Sequence, residues 1–283
     1  LNNNTKIYSL NENGDLTYPY ESLDGHTTTL NNILDGTHDL SKNILNAKKP
    51  MIIIGESFLR LQSAEFFYNK ILNFLNKNNK FSDEWNPLNI LSCDASTVGN
   101  FDLGLINKEK NLLIDLKSNK FDIVYLVGQD NIDFNKKDEF IIYQGSHGDK
   151  GAEIADIILP GSAYTEQEGH YTNLEGKIQK AYKASYPPGD AKEDWQIINE
   201  IAEFINNRKL FNDREELESS MFNYLNLHKE RQSKEIINEF GGEIKNEKLI
   251  IDIKPYYFSN IVARCSKTMI ECDNAKINLK STG

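Results

Sequence analysis

Short apolar runs that stop at turn residues set the rhythm of this chain: KIYSL, PMIIIGES, LNILSCD, FDIVYLVGQD, EFIIYQG and DIILPG. Each is rich in Ile and Val on successive rather than alternate positions. That is the pattern of strands buried on both faces of a parallel sheet. Helical periodicity fills the spaces between them. The clearest stripe is Ala64, Phe67, Tyr68, Ile71, Leu72 and Leu75, at three- and four-residue spacings. A shorter one around Leu40, Ile44 and Leu45 precedes KKPMIIIG, and KNLLIDLKSNK precedes FDIVYLVG. Strand and helix in alternation predict βαβ units and a doubly wound, mostly parallel α/β sheet.

Two local departures complete the expected architecture. HYTN and KIQKAY read as the strands of a β-hairpin, with LEG as the turn and Gly176 taking positive φ. In YPPGDAKEDWQIINEIAEFI the prolines and Gly189 stop the preceding strand, Asp190 is placed to cap a helix, and Glu193 is placed to complete a capping box. Trp195, Ile198, Ala202 and Ile205 are then its expected buried face. From about residue 207 the chain turns polar and helical, with INEFGGEIKNE as a link. The expected division is an α/β domain over residues 1–206 and a helical tail over 207–283.

Composition narrows the function. The 283 residues carry a formal net charge of -10, which leaves no basic footprint for nucleic acid. No apolar run approaches the roughly 20 residues that cross a bilayer, so direct membrane insertion is not expected. The start, LNNNTKIYSL, shows neither the apolar core of a secretion signal nor the arginines of a transit peptide. Cys93, Cys265 and Cys272 are sparse and odd in number, with no C-x-x-C pair, which fits a reducing compartment and no iron–sulfur or structural zinc site. Cys93 is expected to end a buried strand. Cys265 and Cys272 are expected on one face of one helix.

The candidate chemistry gathers in YQGSHGDKG and the stretch that follows it. A dinucleotide site needs G-x-G-x-x-G after a strand, and IIIGES and YLVGQD offer one glycine each. A hydrolase elbow needs G-x-S-x-G, whereas Ser146 directly follows Gly145. His147 and Asp149 lie at a strand end, where α/β folds bind ligands, but the remaining His26, His38, His170 and His228 are scattered. The plainer reading is a tight loop whose backbone these side chains bond. Glu166, Glu168 and Glu175 are candidates for a paired-carboxylate acid/base site, against which stands their place in and around the hairpin.

Residues 155–179, ADIILPGSAYTEQEGHYTNLEGKIQ, resemble the hallmark segment of the molybdopterin oxidoreductase superfamily. The wider block 138–182, with TYPYESLDG, AKKPMIIIGES, YPPGDAKEDWQIINEIAE and YYFSNIVARCSKTM, is similar to one branch of it. That branch is the 75 kDa iron–sulfur subunits of mitochondrial respiratory complex I, in their C-terminal portion. The resemblance implies an ancestral cofactor fold kept as architecture: no catalytic residue, no cofactor-binding residue and no metal ligand on this chain. Iron–sulfur clusters would sit on a partner, the cluster-bearing N-terminal portion of the same subunit or a separate chain. Other matrix-arm subunits would be its further partners, on the matrix side of the inner mitochondrial membrane. The α/β domain would be incomplete on its N-terminal side. The alternative is a fragment of a molybdenum- or tungsten-pterin oxidoreductase that still holds its cofactor in GSHGDKG.

Overall fold

A computed structural model describes residues 5–105, 112–129, 131–132, 135–229, 244–250 and 256–280. The expected link at 237–247 falls mostly outside them. The chain forms two compact units, one of residues 1–93 with 233–253 and the other of 94–232 with 254–283.

In unit 1, β1 (Tyr8–Ser9) pairs in parallel with β2 (Glu21–Ser22). Two helices follow, α1 (Thr27–Leu34) and α2 (Asp39–Asn46). The His38 ring caps α2 by accepting the Leu40 N–H at 3.1 Å. Strand β3 (Ile52–Gly55), helices α3 (Glu56–Leu59) and α4 (Ala64–Lys77), and β4 (Leu88–Leu91) make the main βαβ unit, with β3 and β4 parallel and Ile54 opposite Ile90. Of the predicted stripe, Phe67, Ile71 and Leu75 are buried on α4 and Ala64, Tyr68 and Leu72 are half-buried, while Asn69 and Phe74 join the buried face. Phe67, Ile71, Phe74 and Leu75 pack on Ile54, Leu88, Leu34 and Phe58, each fully buried side chain contributing about 1.5–3 kcal/mol. Asn79 at φ 51 ends α4, with its N–H bonded to Asn76 O and the Lys80 N–H to Leu75 O, both at 3.0 Å. That pair of bonds is the Schellman closure, here built with Asn in place of Gly.

Unit 2 opens with α5 (Thr97–Asp102) and α6 (Leu112–Lys117). The parallel strands β5 (Ile123–Val127) and β6 (Phe140–Gly145), helix α7 (Lys150–Glu153) and strand β7 (Ile157–Pro160) come next, in sheet order β5-β6-β7. Val124, Leu126, Ile132, Ile141 and Tyr143 form its core. The expected hairpin is present as β8 (Gly169–Thr172) against β9 (Ile178–Ala181), with Gly176 at φ 78. Then come α8 (Asp194–Asn206), α9 (Arg214–Lys229), a 3-10 turn (Tyr256–Phe258), α10 (Ile261–Arg264) and α11 (Lys267–Lys280).

The mixed α/β class with mainly parallel pairing holds, but three expectations are corrected. The strands are not covered on both faces: β5 alternates, burying Val124 and Leu126 while Ile123 is 64% exposed, and Ile53 of β3 is 56% exposed. The continuous apolar sequence therefore encodes a second face that these units leave open. Cys93 lies beyond the end of β4 and is exposed. Cys265 closes α10 and Cys272 lies within α11, so the two sit on different helices, separated at Ser266.

Candidate functional site

The loop after β6 is organised by its own side chains. The Tyr143 hydroxyl donates to His147 O at 3.0 Å, and the Tyr143 ring lies between Gly145 and Gly151. A Cβ on Gly145 would overlap the hydroxyl end of Tyr143. One on Gly151 would stand 2.7 Å from Gln129 O and 3.0 Å from the ring. His147 Nδ1 and Ser146 Oγ are hydrogen-bonded at 2.9 Å. Asp149 caps α7 through the Lys150 N–H at 2.8 Å, and its other oxygen accepts Arg264 Nε at 2.9 Å. Cys265 Sγ donates to Gly148 O at 3.2 Å.

Neither candidate chemistry assembles there. Both Asp149 oxygens are engaged, and among the described residues no group of three His, Cys, Asp or Glu is gathered closely enough to hold a metal ion. His26 precedes α1, His38 caps α2, and His170 lies edge-on to Phe222 with centroids 5.3 Å apart. A pterin dinucleotide would need glycine surfaces open to its phosphates and amides free to donate. Here Tyr143 fills the space over Gly145 and Gly151, and an acidic side chain sits at the loop's exit. Of the three loop glycines, Gly148 alone keeps open space around it.

Beyond the loop, the polar residues hold elements together. Gln144 is fully buried at 0% exposure. Its amide donates to Asp194 Oδ1 at 2.7 Å, and its carbonyl oxygen accepts the Tyr125 hydroxyl. Gln167 reaches Asp194 Oδ2 at 3.1 Å and accepts the Asp194 N–H at 3.4 Å. Burial, and then the Asp194 charge, push the Tyr125 hydroxyl above its ordinary pKa. This closed network ties β5, β6, the turn at 163–168 and α8. Sequence reasoning missed all four residues; the only signal was a Gln ending an otherwise apolar strand.

The start of α8 corrects the expected cap. The N-cap is Glu193, with Gln196 completing the capping box, rather than Asp190 with Glu193. Residues 190–192 are held back because Lys192 pairs with the end of β7, its N–H on Pro160 O at 3.1 Å and its carbonyl accepting Ser162 N–H at 2.8 Å. The buried face is also turned: Ile197 and Asn199 are buried, Trp195 and Ala202 half-buried, and Ile198 and Ile205 exposed. Asn199 sets that rotation by accepting the Leu210 and Phe211 N–H groups at 2.7 and 3.1 Å and donating to Phe211 O at 2.8 Å.

The three glutamates have three separate duties. Glu166 accepts the Ala163 N–H at 3.0 Å and closes a turn. Glu168 pairs with Lys180 at 3.4 Å and Arg214 at 3.9 Å. Glu175 is exposed at the hairpin tip. The buried Glu193 pairs with Arg214, lies 3.6 Å from Lys183, and accepts Trp195 Nε1 at 3.1 Å. Arg214 also donates to Glu168 O at 3.1 Å. Lys180 holds the Glu218 carboxyl below its ordinary pKa from 3.0 Å. Apart from the exposed Glu175, these carboxylates are partnered by cations or backbone, and acid/base work needs a group free to exchange its proton with a substrate.

A parallel α/β sheet, a hairpin after its last strand and a polar region joining the turn before that hairpin to the next helix define the class of this unit as an α/β domain. Residues 1–204 match the family model for molybdopterin oxidoreductases, and the chain belongs to that family. Similar proteins include the NADH-ubiquinone oxidoreductase 75 kDa subunit of Reclinomonas americana, 36% identical over 97% of this chain and 41% of that protein. The mitochondrial NADH-ubiquinone oxidoreductase 78 kDa subunit of Candida albicans is 36% identical over 96% of this chain and 39% of its own length. Its counterpart of the same name in Neurospora crassa is 33% identical over 98% of this chain and 38% of its own length. The chain thus spans about two fifths of the length of these relatives.

Proposed function

We propose that this chain is a structural part of the matrix arm of mitochondrial NADH:ubiquinone oxidoreductase, respiratory complex I. In this reading it packs against the iron–sulfur-bearing portion and supports NADH-to-quinone electron transfer without holding a redox centre. The observation that carries it is the alignment of relatives so named along almost the whole chain. The engaged side chains of the 145–151 loop agree with it, as does the apolar surface left open on β3, β5 and α8. Apolar side chains left open on a unit are surface that a partner would cover. The partners would be the cluster-bearing portion, on the same or another polypeptide, and neighbouring matrix-arm subunits. Among the described residues no helix is long and apolar enough to cross a membrane, in keeping with a peripheral place on the matrix side.

The test is affinity capture of the tagged chain from its own mitochondria in mild detergent. Co-purification at fixed stoichiometry with iron–sulfur polypeptides and NADH dehydrogenase activity is expected. Recovery as a monodisperse, stable monomer with no partner would overturn the assignment.

A further inference from the structure

Unit 1 is completed by chain from far downstream. Residues 244–250, IKNEKLI, lie along the corner before α1 and reach the start of α4. Thr27 is wholly buried there. Its hydroxyl donates to Lys245 O at 2.7 Å and accepts the Glu247 N–H at 2.9 Å, while its own N–H donates to Glu247 O at 2.9 Å. His26 and Lys248 form an antiparallel bridge, Leu249 N–H donates to Gly25 O at 2.8 Å, and Asn11 Nδ2 donates to Leu249 O at 2.7 Å. Leu249 also packs against the unit's core.

At the far end, one carboxylate does the work of a helix cap. Ser63 is the N-cap of α4, yet its side chain makes no bond to the helix; its hydroxyl donates outward to Glu247. Glu247 also accepts the Gln62 N–H at 2.9 Å and the Ser63 N–H at 3.0 Å, and Lys245 Nζ holds the Gln62 side chain at 2.6 Å. Backbone pairing, one apolar anchor and one charge fixed by amides are the elements by which an extended peptide is recognised.

We propose that Asn11, Gly25–Thr27 and Gln62–Ser63 form an acceptor for an extended, carboxylate-bearing peptide, occupied by the chain's own residues 244–250, with Glu247 as its latch. The clasp opens and closes as one piece, and α4 begins where it does because the clasp is shut.

Hydrogen exchange on the full chain tests this without any variant. The amides of Thr27, Gln62, Ser63, Glu247 and Leu249 are expected to share one opening, with protection agreeing within about threefold. Ser63 staying protected after Leu249 has exchanged would overturn it. Glu247→Gln removes the charge from three hydrogen bonds and is expected to speed exchange at Gln62, Ser63 and Leu249 about tenfold to a hundredfold, with β5–β7 unchanged. Unchanged exchange at Gln62 and Ser63 in that variant would also overturn it. If the variant does not fold, the shared opening in the unmodified chain decides alone.

Discussion

Gly148 and Gly151 are three residues apart, yet a methyl group should destabilise the chain at Gly151 and change little at Gly148. Gly151→Ala places Cβ 2.7 Å from Gln129 O and 3.0–3.1 Å from the Tyr143 ring. Neither neighbour can yield cheaply. The carbonyl is backbone directly after Gly128, whose N–H is bonded to Gln144 O at 2.8 Å, and the ring is buried with its hydroxyl tied to His147 O. Gly151 lies in α7, so Ala gains about 1 kcal/mol of helix propensity, while overpacking costs about 1–3 kcal/mol. A contact with fixed backbone belongs at the upper end, leaving a net loss of about 1–2 kcal/mol. At about 2–4 °C per kcal/mol for a domain of this size, Tm falls by about 2–8 °C. Gly148→Ala meets nothing within 4 Å and should stay within about 0.5 kcal/mol of the parent. Thermal unfolding by circular dichroism, both variants beside the parent, reads the difference. A Gly151→Ala chain as stable as the parent, with Gly148→Ala impaired, would refute the claim that Tyr143 and Gln129 are what these glycines admit.

Three further outcomes follow from named contacts. Arg214→Met leaves the buried Glu193 with only Lys183 at 3.6 Å and the Trp195 N–H as side-chain partners and costs about 1–3 kcal/mol in urea unfolding, reduced from a fully buried pair because Arg214 is partly exposed; Arg214→Lys should recover little, since it lacks the fork that serves Glu168 O and Glu193 together. For Glu247, burial, the largest influence, pushes the carboxyl up, but the Ser63 hydroxyl, the Gln62 and Ser63 amides and Lys245 together hold it below its ordinary 4.5. Its contribution is therefore complete above pH 4.5 and lost as pH falls through the lowered folded value, and Glu247→Gln should flatten the acid limb of a Tm-versus-pH curve. Phe204, 89% exposed, and Ile205 on α8 should drive self-association of the isolated chain, so Phe204→Ser with Ile205→Ser lowers its light-scattering mass without lowering Tm.

Local pattern carried much of the fold. The α4 stripe and the hairpin turn at Gly176 were legible because each is decided within about a dozen residues. On α8 two apolar stripes compete, and Asn199, bonded to Leu210 and Phe211, selects the one containing Ile197; that choice rests on a partner segment, not on periodicity. The cap moved from Asp190 to Glu193 because Lys192 is claimed by β7, again a long-range pairing. Gln144 and Asp194 lie 50 positions apart with Gln167 between them, and no spacing announces their network. The Glu247 cap is least legible of all, since the residue it serves lies 184 positions earlier.

The central claim, that this chain supports electron carriers seated elsewhere, is tested most directly by metal and pterin analysis of the purified native assembly, with the polypeptides separated afterwards under native conditions. The account predicts iron following the cluster-bearing partner, with neither molybdenum, tungsten nor pterin accompanying this chain. One equivalent of a metal-bound pterin recovered with it would contradict the account.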